Sequence, residues 1–211
     1  MVTASKILSR DEISLVLADC HRRARRSLNS RQNLIVFRLA TCCGLRVSEI
    51  CGLRLRDVHV GIAKPHFTLP RSITKRRKAR TVPLWWDGGT LADVGAWKEE
   101  RIRQGAVASD PFVTTLTAGK SGNPLDRFNA RRRFLAACRA LGPERTSLLT
   151  IHDGRHSAIS HWLAAGRTLA EVREAAGHSS ISTTSVYTHI CVDDDGRPGN
   201  IFAEPSPTAQ G

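Results

Sequence analysis

VHVGIAKPHFTLPRSITKRRKARTVPL, residues 58–84, is the stretch where the apolar period of the chain changes. Val58-His59-Val60, His66-Phe67-Thr68-Leu69 and Thr81-Val82-Pro83-Leu84 are short runs rich in β-branched and aromatic residues, separated by Gly, Pro and charge. That pattern predicts three short strands paired as a small antiparallel sheet. The basic run from Arg71 to Arg80 between the last two is expected to form a hairpin loop with strand flanks.

On both sides the pattern is helical. Upstream, Ser9-x-x-Glu12 predicts a capping box opening a helix to about residue 26, with Ile13, Leu15, Val16 and Leu17 as its apolar stripe. A second helix is expected over about residues 31–43, stopped by Gly44, and a short helical turn over 46–51. Downstream, helices are predicted over about residues 89–104, 124–141 and 152–165, the last two ending at Gly142 and Gly166. Thr168 caps a short one that ends at Gly177, and Ser182-Thr183-Thr184 begins a final helix that carries Tyr187. No internal repeat is present. Helices, small sheet, helices is the order of an α+β domain, mostly helical, with helices around a small antiparallel three-stranded sheet.

Composition narrows the partner. Thirty-two Lys and Arg against nineteen Asp and Glu give a net charge of +13 over 211 residues. Such a charge concentrates polyanions. Nucleic acid is the usual one, with an anionic membrane as the rival, but no basic amphipathic helix with a Trp/Phe face supports the latter. No apolar run approaches the roughly 20 residues of a membrane span. Residues 1–10 hold no apolar signal segment, so a cytoplasmic, nucleoid-associated protein is expected. The six cysteines form no C-x-x-C pair, so no zinc site is expected. Cys42, Cys43 and Cys51 read as small packing groups.

Several polar residues stand out, each with a plain structural alternative. His152 and Arg155 lie three apart at a helix start, sharing a face beside free backbone N–H groups. His178 follows a helix stop, and in isolation is a surface histidine. Tyr187 is the only tyrosine, and a lone tyrosine is usually a half-buried packing residue. Arg46 lies between apolar stretches and needs either an anionic ligand or a partner, which Glu49 at i+3 offers. Lys75, with Arg71, Arg76, Arg77, Lys78 and Arg80, is either a solvated run or a loop laid on phosphates; the overall charge favours phosphate contact. Arg131, Arg132 and Arg133 wind partly around their helix, with at least one, Arg131 or Arg132, expected on DNA and the rest in solvent.

Together these features resemble the tyrosine recombinase (phage integrase) family. Thr41-Cys-Cys-Gly-Leu-Arg-Val-Ser-Glu-Ile-Cys-Gly-Leu resembles its first arginine box, and Thr74-Lys75 followed by Arg80-Thr-Val-Pro-Leu its lysine hairpin. H-x-x-R-H, G-H-S-S-I-S-T-T and Y-T-H within residues 151–189 are similar to its second box. The resemblance implies that Arg46 and Arg155 clamp a scissile phosphate and that Lys75 protonates the leaving 5′ oxygen. His178 would bond a non-bridging oxygen, His152 assist proton transfer, and Glu49 orient the site. Tyr187 would attack, leaving a 3′-phosphotyrosine and a free 5′-hydroxyl. Fixed guanidinium groups suit the charge that gathers on the phosphate oxygens. A phenol with a pKa of about 10 needs cations or a base to attack at neutral pH. No ATP, metal or other cofactor is implied, and no Walker motif or acidic metal cluster is present.

The resemblance also carries three departures. Gly154 stands where the family usually has a bulky apolar residue, which is expected to loosen the helix start. Few residues precede the first helix, so residues 1–192 are expected to form the catalytic domain without a separate N-terminal DNA-clamping domain. Residues 193–211, polar and Pro/Gly-rich, are expected to be a disordered tail without the apolar helix that in the family often docks into a neighbouring protomer, and such exchange is left open. The implied partner is double-stranded DNA, bound as a homotetramer on two sites, with a monomer or weak dimer in its absence. An accessory protein is left open as the source of a clamp. Two alternatives share these residues: a type IB topoisomerase-like nicking and resealing enzyme, and a catalytically silent DNA-binding regulator.

Overall fold

A computed structural model describes residues 4–74, 78–116, 121–188 and 201–202. Helix α1, Arg10–Ala24, opens with both halves of the predicted capping box. Ser9 Oγ accepts from the Glu12 N–H at 3.1 Å, and Glu12 Oε2 accepts from the Ser9 N–H at 2.8 Å. Its buried face is Ile13, Val16, Leu17 and Cys20. Leu15, assigned to that stripe from the sequence, is exposed, because the i, i+3, i+4, i+7 spacing that faces a core leaves it out.

Helix α2, Leu28–Phe37, runs through the core and passes directly into a π-helical turn, Arg38–Cys42. The sequence predicted one uninterrupted helix here. The wider turn carries the buried Arg38, whose Nε donates to Asp93 Oδ2 at 2.7 Å. The chain then leaves the helix at Gly44, with φ of 61°. A Cβ at that position would sit 2.8 Å from the Trp162 ring, so backbone conformation and close packing both require glycine. The short helix α3, Val47–Gly52, follows immediately.

The sheet is three-stranded and antiparallel in the order β1-β2-β3, comprising Val58–His59, His66–Leu69 and Arg80–Pro83. Val58 pairs with Phe67, and Phe67 with Val82, so the period-two alternation puts all three on the buried face. The Phe67 ring meets Phe112 edge-on at 6.5 Å. Strand β3 thereby fixes Arg80, its first residue, at the sheet end nearest α3 and the C-terminal helices.

Helix α4, Gly88–Arg103, is capped by Asp87, and α5, Arg127–Cys138, by Asp126. A further helix, α6, Gly142–Ser147, was not anticipated; Pro143 at its start fixes φ for the first turn and reads from sequence equally well as a loop. Helix α7, Ile151–Ala164, packs along the π-helical turn. Gly154 lets it do so: a Cβ there would meet Thr41 Oγ1 at 2.8 Å and the Phe134 ring at 2.9 Å. The expected loosening is therefore a close contact. Helix α8, Leu169–Ala176, ends at Gly177 in the left-handed region, as predicted. Helix α9, Ile181–Ser185, is capped by Ser180 and stops short of Tyr187, which the sequence had placed within it. Tyr187 instead lies in the turn beyond, its N–H donating to the Thr184 carbonyl at 3.1 Å.

At two residues the tail departs from the disorder expected of it. Ile201 and Phe202 are buried. The Phe202 N–H donates to Asp87 Oδ1 at 3.0 Å, Arg10 Nη2 donates to the Ile201 carbonyl, and the Phe202 ring meets His161 edge-on. Their apolar side chains find a socket between α1, α7 and the start of α4, which a compositional reading of the surrounding polar residues obscures. Among the described residues no helix is long and apolar enough to cross a membrane.

Candidate active site

Four segments converge on one place: the start of α3, the start of β3, the first turns of α7, and the chain from Gly177 through Tyr187. Glu49 is their hub. It is fully buried, and its carboxylate accepts from Arg80 Nη2 at 2.8 Å, Arg80 Nη1 at 2.5 Å, Arg46 Nη1 at 3.1 Å and the Arg46 backbone N–H at 2.7 Å. Burial alone would raise this carboxyl. The hydrogen bonds and charge of Arg80, with the contacts from Arg46, outweigh that and hold it below the usual range.

Arg46 also donates through Nη2 to the Gly177 carbonyl at 3.2 Å, and Arg80 through Nε to the Ala175 carbonyl at 2.8 Å. The C-terminal end of α8 is thus tied to α3 and β3. Arg155 reaches the same place from α7. It is buried, and its guanidinium donates to the carbonyls of Gly44 and Ala176, the latter at 2.6 Å, with no carboxylate hydrogen-bonded to it among the described residues. Burial first, and then the charge of Arg46, push Arg155 down to about 9, so it remains a cation at neutral pH. Two neighbouring guanidinium charges, one of them hydrogen-bonded to carbonyls, are an arrangement that can hold an oxyanion.

His178 lies beside them. Its Nδ1 is 2.9 Å from the hydroxyl of the buried Thr184. Burial, then Arg155, Arg46 and Arg80, push it down to about 4, so the imidazole is neutral. With the Thr184 hydroxyl donating to Nδ1, Nε2 carries the proton and is a donor. Tyr187 is 6 % exposed and its ring stacks near His178, with centroids 6.3 Å apart. Burial raises its phenol above the usual range, partly opposed by Arg155 and Arg46. The Tyr187 hydroxyl is 2.6 Å from His156 Nδ1.

The surface above this cluster is open. A cleft of about 390 Å³ is lined by Arg46, Thr74, Lys78, Arg173 and His178 among others. A second, of about 620 Å³, shares Arg46 and is lined by Arg127, Arg131, His152, Arg155 and His156. His152 is exposed on this cleft; burial of part of the ring, then the charge of Arg131, lower its pKa.

The structure therefore brings Arg46, Glu49, Arg155, His178 and Tyr187 together, with His152 at the rim. Lys75, Arg76 and Arg77 lie outside the described residues. Arg71, Lys78, Arg131 and Arg132 are exposed. Arg80, assigned to phosphate contact from the sequence, has a side chain only 6 % exposed and is committed to Glu49 and Ala175. Its position as the first residue of β3, and not in the basic loop, points it inward. Arg133, expected in solvent, bonds the Asn29 and Asn33 side chains at 3.0 Å. His156 and Thr184 were missed. His156 lies one helical turn beyond His152, and that i, i+4 relation was a signal that it faces the same site. Thr184 offered no comparable signal.

Known proteins share this architecture. The chain matches the phage integrase family over residues 6–193. It is 34% identical over 161 residues to the tyrosine recombinase XerC of Corynebacterium efficiens, covering 76% of this chain and 47% of that protein. The XerC of Mycobacterium tuberculosis is 34% identical over 199 residues, covering 90% of this chain and 60% of that protein. The chain thus spans about half to three-fifths of the length of these relatives. Among solved structures, XerH site-specific recombinase bound to difH substrate in a pre-cleavage complex matches with a TM-score of 0.69 and 21% identity, covering 88% of this chain and 51% of that one. XerA recombinase matches with a TM-score of 0.68 and 19% identity, over 88% and 60%. At these identities the structural likeness is one of fold.

Proposed function

The chain belongs to the phage integrase family, and from that premise we propose that it is a site-specific DNA recombinase that cleaves and rejoins strands through a 3′-phosphotyrosine. The observation that carries this is the convergence of Arg46, Arg155, His178 and the buried Tyr187 in one cationic cluster, bordered by two clefts that share Arg46. Arg46 and Arg155 hold the non-bridging oxygens of the scissile phosphate, and neutral His178 donates to one of them through Nε2. Tyr187 attacks phosphorus, the P–O5′ bond breaks, and Lys75 supplies a proton to the departing oxygen. Glu49 touches no substrate; it fixes Arg46 and Arg80 and thereby the end of α8. His152, at the rim, assists proton movement. The phosphodiester energy is kept in the phosphotyrosine link, so rejoining needs no external energy source.

The substrate is double-stranded DNA. Arg71, Arg76, Arg77, Lys78, Arg131 and Arg132 provide the phosphate contacts around the cleft, giving affinity more than sequence choice. Exchange between two duplexes requires four active sites, so the working form is a homotetramer on two DNA sites, assembled from a monomer or weak dimer. A chromosomal or phage DNA substrate goes with a cytoplasmic protein at the nucleoid.

The test is covalent capture on a suicide duplex nicked beside the scissile bond, its sequence taken from the DNA flanking the gene. The wild type should form a protein–DNA adduct and Tyr187→Phe none. An undiminished adduct in Tyr187→Phe would sink the assignment.

A further inference from the structure

We infer that His156 is the group that takes the proton from Tyr187 during strand cleavage. This rests on the recombinase reading and adds to it a residue that the arginine, lysine and histidine set leaves out. The Tyr187 hydroxyl and His156 Nδ1 are 2.6 Å apart, within direct proton-transfer reach. A phenol donates and a neutral imidazole accepts, so Nδ1 is the acceptor and Nε2 carries the proton. The two ring centroids lie 5.7 Å apart, and the His178 ring is also near the tyrosine, at 6.3 Å.

The other candidates are engaged elsewhere. His178 Nδ1 faces the Thr184 hydroxyl, and the recombinase reading assigns its remaining nitrogen to the phosphate as a donor. Asp153, the nearest carboxylate in sequence, accepts from the Thr150 N–H and hydroxyl at 2.8 and 2.7 Å as the cap of α7. His152 is exposed at the rim. Among the described residues, His156 is thus the base already bonded to the nucleophile.

His156 follows Arg155 on α7, so the helix that binds the phosphate also carries the base. Burial depresses its pKa, as do Arg155, His152 and Lys6, against the opposing charge of Asp153. The imidazole is therefore neutral and ready at neutral pH. In cleavage the Oη–H bond breaks and the proton moves to Nδ1. The Oη–P bond forms, and the P–O5′ bond breaks with its electron pair on O5′, which is protonated from Lys75. In rejoining, the 5′-hydroxyl returns its proton to the neutral Lys75 amine as it attacks phosphorus, the Oη–P bond breaks, and the His156 imidazolium returns its proton to the departing Tyr187 oxygen.

The test compares the full-length wild type with His156→Gln and His156→Ala on the same suicide duplexes. Gln keeps an acceptor of similar reach without basicity. Both variants should form adduct about 100-fold more slowly, with DNA affinity unchanged. Added imidazole should restore part of the rate in His156→Ala. A 5′-bridging phosphorothiolate duplex, whose thiolate leaves without a proton, should not rescue either variant, but should rescue Lys75→Ala. Wild-type rates in His156→Gln would reduce the residue to a prop and overturn the proposal, as would full rescue by the sulfur substrate. A second measurement needs no DNA. Tyr187 is the sole tyrosine, so near-ultraviolet phenolate absorbance reports it alone. Loss of an acceptor that favours the neutral phenol should lower its midpoint in His156→Ala by roughly half to one pH unit. An unchanged midpoint refutes the hydrogen-bonded pair whatever the DNA result. Absence of any wild-type adduct, with the midpoint shifted as expected, refutes the recombinase reading and with it the step assigned to His156.

Discussion

Arg155 illustrates how a single side chain is specified by what surrounds it. Its two carbonyl partners fix the plane of the guanidinium before substrate arrives, and lysine cannot reproduce that fork. Arg155→Lys should lower the rate of adduct formation by about 100- to 1000-fold, measured in single-turnover cleavage, while leaving thermal stability nearly unchanged. At this scale the residue types of the site were legible in the sequence, because reactive polar groups recur in a fixed order. Their partners were not. Arg80 looked like one more cation of the basic run, and only the β2–β3 register shows that it turns inward to Glu49. The Thr184 contact to His178 spans a loop whose path no local pattern dictates.

Between elements, packing decides what local preference leaves open. Helix α7 approaches the π-helical turn closely because position 154 has no side chain. Gly154→Leu should cost about 1–3 kcal/mol through overpacking against Thr41 and Phe134, read as a lower midpoint in denaturant. The helix was visible from its sequence, but its distance from a neighbour was not, and so Gly154 looked like a weakness. Glu49 is the corresponding polar joint, linking α3 to β3 directly and to α8 through its two arginines. Glu49→Ala should cost about 3–5 kcal/mol, because Arg80 is left buried without its counter-charge. The same joint sets a pH dependence. The Glu49 pKa is depressed below the usual value near 4.5, so its contribution is fully present above that value and is lost as pH falls through the folded-state pKa. Stability measured against pH should decline on the acid side of that value in the wild type, with a shallower decline in Glu49→Gln.

The whole molecule is closed by residues far apart in the chain. Phe202 joins a socket formed by α1, α4 and α7, so a side chain near the C-terminal end of the described residues helps hold the helix near their start in place. Phe202→Ala should destabilise the protein by about 3–5 kcal/mol, measured by chemical denaturation. The α+β class and the central sheet followed from the change of period at residues 58–84. The π-helical turn, α6 and this closure did not, since each depends on contacts made only after the elements assemble.

Placing Arg155 beside Arg46 ties heat resistance to solute. The neighbouring charge and burial both act against the Arg155 cation, and an oxyanion brought to the pair relieves both. Inorganic phosphate or sulfate should therefore raise the melting temperature by mass action, worth about 2.7 kcal/mol at a hundredfold excess over its dissociation constant. Arg155→Met should respond little to either salt. Under the proposed function, the guanidinium that holds the scissile phosphate is also the one through which dissolved anions set tolerance to heat.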